Sequence, residues 1–596
     1  NEIFFAVVST SLTLAVVFLP IIFLQGFTGR LFREFGMVMA GAVLISAFVS
    51  LSLTPVLNVK LTRKDHKHSR FYERTEPFFV AMTEGYRRSI TNFMRSRGWA
   101  FGILLGAIAL IFGVGAFLQS ELAPLEDRSL LRVIVSAPEG TSYERMDHFM
   151  DQLVQDAVDS VPEHKVVLSV TAPSFAGSGA VNTGFLRVTL SEPGERRRSQ
   201  AEIAQALQQD FGAYTDGRAF VIQEQTISVG VSAKTSQPVQ FVLQNNSFDK
   251  LKEFVPKFMD EAAKDPTFQG LDVNLKFNKP ELNITIDRDR ARALGVPVVD
   301  IARTLQLAYG GGRMSYFTKD GKQYQVIGQV QLQDRGQPLD VRALQVHAQD
   351  GRMVQLDDLL DIQEASEPPQ LYHYDRYKSA TVSAGLAPGK TIGDGIAAMQ
   401  AIADRVLDDS FATSLSGASR DFSESGSNIV FALVFALVLI YLILAAQFES
   451  FRDPFIIMLT VPLALGGAVL SLWLFDQTLN IFSEIGMIML VGLVTKNGIL
   501  IVEFANQQRE HHGLSRIDAA IEAATQRLRP ILMTSIATVL GALPIAIGLG
   551  NGAQSRIPMG IVVVGGLLFS LVLTLYVIPA MYTYIATRKR ETHEEA

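Results

Sequence analysis

The chain has 596 residues, of which 48% are hydrophobic, and a mean hydropathy of +0.23. Its 53 basic and 59 acidic residues give a net charge of −6, which argues against a nucleic-acid partner. It contains no cysteine, which fits an exported domain that needs no disulfides. Charged and apolar residues are strongly segregated along the chain, so the composition predicts a membrane protein with a large water-exposed part.

Eight apolar segments are predicted to be long enough to cross a hydrocarbon core of roughly 30 Å. They cover approximately residues 3–24, 36–57, 99–118, 429–446, 455–475, 485–502, 530–549 and 559–585. Residues 119–428 have a soluble composition and are expected to form one folded extramembrane region. Basic residues gather in the second and sixth connections and in the tail, which puts both chain ends in the cytoplasm and this region outside.

The two ends of the chain match each other at an offset of 524 residues without a gap. Leu19-Pro20 aligns with Leu543-Pro544, and Gly36 aligns with Gly560. Each matching stretch is a pair of apolar segments, and internally repeated membrane proteins are usually transporters. We therefore expect a fragment that holds the end of one repeat unit, lacks most of its first half, and continues through a second unit.

The connection after the second apolar segment is amphipathic. Apolar side chains recur every three or four residues over 67–97, with arginines between them. They are Phe79, Met82, Tyr86, Ile90 and Phe93. The pattern predicts a helix on the inner membrane surface, and an anchoring linker is favoured over a regulatory element.

The sequence of the soluble region predicts a definite order of strands and helices. Strands are predicted at 130–136, 165–171, 184–190 and 219–224, with helices from Thr141 and at 199–211; Glu144 is predicted to complete a capping box at Thr141. This order is that of the split, or ferredoxin-like, β-α-β motif. A second round comprises strands at 238–244, 271–276 and 281–286 and a helix at 247–264, and resumes at 378–407. The less regular stretch 288–375 is therefore predicted to be an inserted subdomain.

Lys496 is the residue that most clearly indicates chemistry, because it lies in the middle of the sixth apolar segment. A cation at that depth costs roughly 2.5–3.5 kcal/mol on insertion scales, so it is expected to mark an ion or proton path. Its partner should be a buried carboxylate, because a lysine beside an acid that gains and loses a proton forms an electrostatic switch. None of the eight predicted segments contains Asp or Glu, so we expect the counter-charge in the missing half.

Other polar positions are weaker signals when only their spacing is considered. Thr534 lies about one turn into the seventh segment, where a threonine more often bonds its own helix carbonyl. Arg527 and Arg529 are most simply cytoplasmic-side charges.

The sequence Pro388-Gly389-Lys390-Thr391 resembles a phosphate loop, but its spacing from Gly385 does not fit, so ATP hydrolysis is not supported. The histidines show no metal-ligand spacing, and the scattered methionines disfavour a soft-metal exporter.

Two stretches together resemble the signature of resistance-nodulation-division (RND) multidrug efflux pumps of Gram-negative bacteria. They are Val491-Gly492-Leu493 through Lys496-Asn497-Gly498-Ile499-Leu500-Ile501-Val502-Glu503-Phe504-Ala505, and Arg527-Leu528-Arg529-Pro530-Ile531-Leu532-Met533-Thr534-Ser535. The resemblance covers the whole chain. It implies a polytopic α-helical membrane protein of twelve spans, of which this chain holds the fifth to the twelfth, with a large α+β periplasmic insertion.

The resemblance also implies a domain plan. It assigns 1–61 to the last two spans of the first repeat, 62–97 to a cytoplasmic linker helix, 98–118 to a span, 119–235 to a first ferredoxin-like porter module, 236–287 and 376–420 to a second, 288–375 to a funnel or docking subdomain, 427–586 to five spans and 587–596 to a cytoplasmic tail. The protein would be a multi-pass inner-membrane antiporter that exports small amphiphilic compounds with the proton gradient and without a cofactor or metal. Its expected partners are two further copies in a homotrimer, a periplasmic adaptor and an outer-membrane channel of the TolC type.

Site residues follow from the same resemblance. Lys496 resembles the relay lysine that pairs with two aspartates on the fourth span, and Asn497, Thr534 and Arg527 match accessory polar positions. The loop Pro173-Ser174-Phe175-Ala176-Gly177-Ser178-Gly179-Ala180 resembles a glycine-rich switch loop between drug pockets, although on spacing alone it is a plain β–β connection. Leu168, Pro173 and Arg187 stand where aromatic residues are expected, which argues against the usual broad aromatic drug cage and leaves a more polar or acidic cargo open.

Three alternatives remain open at this stage. The chain could be an RND relative for metal or lipid-like cargo, a proton-coupled accessory of protein secretion, or a sterol-sensing-type receptor. The last two classes have much smaller or differently built periplasmic modules, which argues against them. Neither the substrate range nor the choice between a homotrimer and a heterotrimer follows from the sequence.

Overall fold

A computed structural model describes residues 2–24, 26–61, 70–173, 180–223, 237–331, 334, 338–549 and 552–586. The helices are α1 (Glu2–Val17), α2 (Leu19–Ile22), α3 (Gly26–Leu61), α4 (Arg70–Arg95), α5 (Trp99–Gly115), α6 (Tyr143–Ser160), α7 (Gln200–Phe211), α8 (Phe248–Ala262), α9 (Arg288–Ala293), α10 (Val298–Leu305), α11 (Pro338–Ala343), α12 (Ile392–Val406), α13 (Gly417–Phe448), α14 (Arg452–Met458), α15 (Thr460–Leu474), α16 (Ile481–His512), α17 (Arg516–Ala546) and α18 (Ile557–Ile585).

Fifteen strands are formed by the described residues. They are β1 (Leu130–Ser136), β2 (His164–Thr171), β3 (Thr183–Leu190), β4 (Arg218–Gln223), β5 (Val239–Asn245), β6 (Phe268–Val273), β7 (Lys279–Ile286), β8 (Gly312–Lys319), β9 (Lys322–Gly328), β10 (Gln345–His347), β11 (Met353–Gln355), β12 (Leu360–Glu367), β13 (Tyr372–Tyr374), β14 (Tyr377–Leu386) and β15 (Ala412–Leu415). All of them lie in the region that the sequence predicts to be soluble.

Six helical stretches among the described residues are long and apolar enough to cross a membrane. They are Phe32–Lys60, Gly417–Phe448, Arg452–Leu474, Ile481–His512, Arg516–Ala546 and Gln554–Ile585. A seventh span results if Glu73–Arg95 and Trp99–Gly115, which meet at 94°, are taken as one broken span. Thr10–Ile22 is apolar but shorter. The structure thus shows several membrane-spanning helices, and the number eight remains a prediction.

Small residues set the packing of the membrane helices. Helix α18 packs against α15, α16 and α17, and glycines lie where the helices approach most closely. A Cβ atom added at Gly486 would lie 3.1 Å from the backbone oxygen of Met559, so α16 and α18 nearly touch through their backbones. Close approach through small residues is the usual way in which membrane helices gain packing contacts.

The amphipathic segment forms α4, which docks on α17 and α18 through its apolar face. Ile90 is fully buried, and the Tyr86 hydroxyl donates to the backbone oxygen of Leu575 at 2.6 Å. Arg529 of α17 donates to both carboxylate oxygens of Glu76, at 3.0 and 3.1 Å. Helix α4 is therefore fixed to the helix pair α17 and α18 by both apolar and ionic contacts.

The first sheet has the connectivity β-α-β-β-α-β and the antiparallel strand order β2-β3-β1-β4. Burial alternates along β1, where Leu131, Val133 and Val135 face the core. This face packs against Met150 of α6 and Leu207 of α7. Strand β1 therefore has the alternating burial that is typical of a strand with one face in the core.

The second sheet combines strands that are distant in sequence, in the order β13-β14-β5-β15 with β6 beside β14. Strand β5 is buried along its whole length. Strand β7 does not join this sheet; it pairs with β12, and Leu282, Ile284 and Ile286 pack on the core of the inserted region. Strand β7, which the sequence placed in the second module, therefore pairs and packs with the inserted region, while the domain bounds themselves stay a prediction.

The capping box predicted at the first helix of the soluble region is wrong. Ser142, one residue after Thr141, is the N-cap of α6 and accepts from the Arg145 amide at 3.3 Å. The capping box of this unit lies at α7 instead, where Ser199 and Glu202 bond each other's backbone amides. Adjacent hydroxyl residues at 141 and 142 offered two possible caps, and backbone geometry selected the second.

Candidate functional site

Lys496 lies midway along α16 and is half-buried. Two glycines near it let neighbouring helices come close. A Cβ at Gly492 would lie 2.8 Å from Leu14 of α1, and one at Gly498 would lie 3.2 Å from both Ile457 and Thr460. Helix α16 is thus in close contact with α1 at Gly492 and with α14 and α15 at Gly498.

No carboxylate among the described residues lies within ion-pairing distance of the Lys496 ammonium. Glu484 and Glu503, on the same helix, are placed toward its two ends. The partner that the sequence predicts for Lys496 is therefore not found in the described part of this chain, and the two expected aspartates remain a prediction.

Asn497 connects the Lys496 helix to α17. Its side-chain amide donates to the Ser535 hydroxyl at 3.3 Å, and the two residues are 3% and 4% exposed. Ser535 was part of the recognised motif but was not singled out as a site residue. No sequence pattern distinguishes it from Thr534, because adjacent helix positions point about 100° apart and only the packing selects one of them.

Thr534, which the sequence analysis did single out, donates its hydroxyl to the Ile531 carbonyl of its own helix at 3.3 Å. This is the bond that its spacing alone predicted. The described residues show no hydrogen bond from Thr534 to Lys496 or Asn497. A relay role for Thr534 is not tested by this geometry and stays a prediction.

Arg527 also connects α17 to the Lys496 helix. Its guanidinium carbon lies 4.4 Å from the ring centroid of Phe504, which is a cation–π contact. Its Nε atom is buried without a hydrogen-bond partner among the described residues. All four predicted relay residues thus lie on α16 and α17, and Asn497 and Arg527 each contact the neighbouring helix of this pair.

A buried carboxylate that sequence reasoning missed lies near the predicted cytoplasmic end of the same helices. Asp453 of α14 is only 5% exposed, and its Oδ2 accepts from the Asn506 amide at 3.1 Å. The Tyr582 hydroxyl donates to Asn506 Oδ1 at 2.6 Å and lies 3.4 Å from Arg509 Nη1. This network joins α14, α16 and α18. Asp453 was overlooked because it precedes the predicted apolar segment 455–475 by two residues.

The predicted switch loop lies mostly outside the described residues, because 174–179 are not among them. Its ends, Pro173 and Ala180, adjoin the antiparallel pair β2 and β3. On this pair Leu168 lies directly opposite Arg187, and both side chains are exposed. Two of the three residues noted as unusual for the loop's surroundings are therefore cross-strand neighbours.

Packed membrane helices with a lysine at mid-depth, joined to a large α/β part, define a polytopic membrane transporter. The particular family follows from comparison with known proteins. The profile of the AcrB/AcrD/AcrF family matches residues 1–586. The chain belongs to this family, which is a branch of the RND transporters, and the resemblance seen in the sequence is confirmed.

Individual relatives match almost the whole chain. An uncharacterized transporter of Haemophilus influenzae is 32% identical over 99% of this chain and 57% of its own length. The multidrug resistance protein MdtC, from two strains of Escherichia coli, is 30% identical over 98% of this chain and 56% of its own length. The chain therefore spans a little over half the length of the curated relatives that it matches.

Proposed function

We propose that this chain is part of an inner-membrane pump that exports amphiphilic compounds in exchange for protons, as one subunit of a tripartite efflux system. The observation that carries the proposal is Lys496, a cation at mid-depth on a helix packed closely against its neighbours. A cation in that position requires a counter-charge, and a protonatable counter-charge makes the pair sensitive to the proton gradient.

The contacts of α16 support a conformational role for this charge. When a carboxylate beside Lys496 is ionised, attraction favours a close approach of the two helices, and protonation removes that attraction. Asn497 and Arg527 connect α16 to α17, and Glu76 and Arg529 connect α17 to α4. A displacement of α16 would therefore also displace α17 and α4, as expected for packed helices with discrete arrangements.

The architecture of the extramembrane part also supports the proposal of an export pump. Its first sheet has the β-α-β-β-α-β connectivity of the ferredoxin-like motif, in keeping with the first porter module. The strands of its second sheet come from two separate stretches of the chain, and we assign the inserted region between these stretches to outward docking. We infer that these units face the periplasm, that the subunit forms a trimer, and that an adaptor and an outer-membrane channel complete the route. MdtC, a relative named for multidrug resistance, supports this direction of transport.

The proposal is tested by dye accumulation in cells that make the full-length protein containing this chain. Lys496→Ala should raise intracellular dye to the level of cells without the pump, because the counter-charge would then have no cation to attract. Lys257→Ala, which removes an exposed lysine from α8, should leave export unchanged. Export that persists in the Lys496→Ala variant at equal expression would refute the proton-relay assignment.

A further inference from the structure

A short segment between α5 and β1 touches both the membrane helices and the second α/β unit. We call Gln119–Leu122 the strap. It lies between the connection that precedes α16 and the first turn of α12. None of its four residues belongs to a helix or named strand, so its position is set by hydrogen bonds to its two neighbours and by burial of Leu122 in the core of the membrane helices.

On the membrane side, the strap is bonded to the residues that lead into the Lys496 helix. The Leu479 amide donates to Gln119 O at 2.8 Å, and the Glu121 amide donates to Leu479 O at 3.0 Å. Further along both segments, the Ile481 amide donates to Leu122 O at 3.3 Å. These bonds form a short parallel β-bridge against the N-terminal end of α16.

Side chains strengthen the same junction. The Thr478 hydroxyl donates to the Glu121 carboxylate at 2.5 Å and accepts from the Asn480 amide group at 3.0 Å. Asn480 is the N-cap of α16, and its side-chain oxygen accepts from the Phe482 and Ser483 amides. Glu121 is therefore connected through one hydroxyl to the residue that caps the Lys496 helix.

On the other side, the strap is bonded to α12, which packs on the second sheet. The Gly393 amide donates to Ser120 O at 3.3 Å, and the Gln119 side chain donates to Gly389 O at 2.9 Å. A Cβ atom at position 393 would lie 3.0 Å from Ser120 O, so any larger residue would require a shift of a few tenths of an ångström. Helix α12 is anchored in its unit by buried Met399 and Ile402.

We propose that the strap is the link through which a displacement of the Lys496 helix reaches the second α/β unit, with Glu121 and Thr478 as its positioning residues. The inference rests on the proposed function for its driving force. Backbone hydrogen bonds on both sides hold the four-residue strap firmly to its two neighbours. A displacement of the N-terminal end of α16 therefore displaces α12 as well. Helix α13, which joins this unit to the membrane helices covalently, also reaches this point, because a Cβ atom at Gly393 would lie 3.6 Å from the Phe422 side chain of α13.

Substitution of the positioning residues tests the link in the full-length protein. Thr478→Val and Glu121→Ala should each lower the export turnover about fivefold, the lower end of typical coupling effects. The equilibrium affinity for the exported dye and the thermal unfolding temperature should stay unchanged. Glu121→Gln, which keeps an oxygen for Thr478, should restore most of the turnover. Thr413→Val is the matched control, because that half-buried residue lies on β15 and its hydroxyl makes only a long, exposed bond of 3.5 Å to Gln400.

Two results would overturn the link. One is full turnover in both Thr478→Val and Glu121→Ala. The other is a loss of turnover that is matched by an equal loss of affinity or stability, since this would show a structural role only.

A disulfide provides an independent test, because residues 1–596 contain no cysteine. The Cβ positions of residues 120 and 393 are 3.5 Å apart, within the range for a disulfide. Ser120→Cys with Gly393→Cys, in a background without other cysteines, should crosslink and export equally well oxidised and reduced, because the two sides move together. Export that stops on oxidation and returns on reduction would show that they separate, and would overturn the inference.

Hydrogen exchange separates a failure of the link from a failure of the proposed function. Lys496→Ala should change the protection of the Gly393 amide in the otherwise native protein but not in the Glu121→Ala background. That outcome supports the link even if Lys496→Ala leaves export intact and the proton-relay proposal falls. An equal change in both backgrounds would contradict the link whatever the export assay shows.

Discussion

The pairing of Asn497 with Ser535 is the clearest residue-level connection in the candidate site. Hydrogen bonds between membrane helices contribute about 0.6 kcal/mol on average. Ser535→Ala should therefore lower the free energy of unfolding of the full-length protein by about that amount, measured in detergent. Thr534→Val, at the adjacent position, should cost less because its hydroxyl bonds its own helix. A larger loss at Thr534 than at Ser535 would contradict the observed pairing.

Asp453 provides a second residue-level prediction. Asp453→Ala removes the acceptor of the half-buried Asn506 amide, and the unsatisfied donor should cost about 1 kcal/mol, the lower end of the range for buried donors. The Asp453→Asn variant retains an oxygen at this position and should lose less stability. Asp409→Ala, which removes an exposed carboxylate, is the control for the thermal unfolding measurement. Equal unfolding temperatures for Asp453→Ala and Asp409→Ala would show that the network does not hold these helices together.

Helix packing provides a prediction at the scale of elements. A Cβ at Gly467 of α15 would overlap the Cβ of Phe569 on α18, whereas Gly106 of α5 has no atom within 4 Å of such a position. Gly467→Ala should destabilise the protein by about 1–3 kcal/mol through overpacking. Gly106→Ala should be neutral or slightly stabilising, because alanine favours the helix. Thermal unfolding checks both variants, and a Gly467→Ala variant as stable as Gly106→Ala would contradict the packing of α15 on α18.

The sequence predicts the position of regular elements well where one physical signal dominates. Strand β1 has the predicted bounds, because burial alternates strictly along it. Local periodicity does not report partners, so the pairing of β7 with β12 was missed. The cap at Ser142 was misplaced by one residue, since Thr141 has the same capping chemistry.

In the candidate site too, the sequence predicts the residue with a strong local signal and misses the residues whose roles depend on long-range contacts. Lys496 stands out because a cation in an apolar segment is rare, and this holds whatever surrounds it. Ser535 and Asp453 do not stand out, because their roles depend on contacts with residues distant in sequence. The strap between α5 and β1 contains no motif, and only the fold brings Ser120 to Gly393.

At the scale of the whole molecule, the repeat seen in the sequence corresponds to two pairs of packed helices. Helices α1 and α3 contact each other, as do α17 and α18 at the other end of the chain. The chain covers just over half of its relatives' length, and the described residues place no carboxylate beside Lys496, so the carboxylate partners of Lys496 stay a prediction.

The most direct test is the proton flux of the full-length protein reconstituted in vesicles with a pH-sensitive dye inside. The proposed function predicts that adding cargo starts a proton flux down its gradient, and that Lys496→Met, which removes the charge while keeping an unbranched apolar chain, abolishes both flux and cargo movement. Cargo movement that continues in Lys496→Met without any proton flux would contradict the assignment of Lys496 to the proton relay.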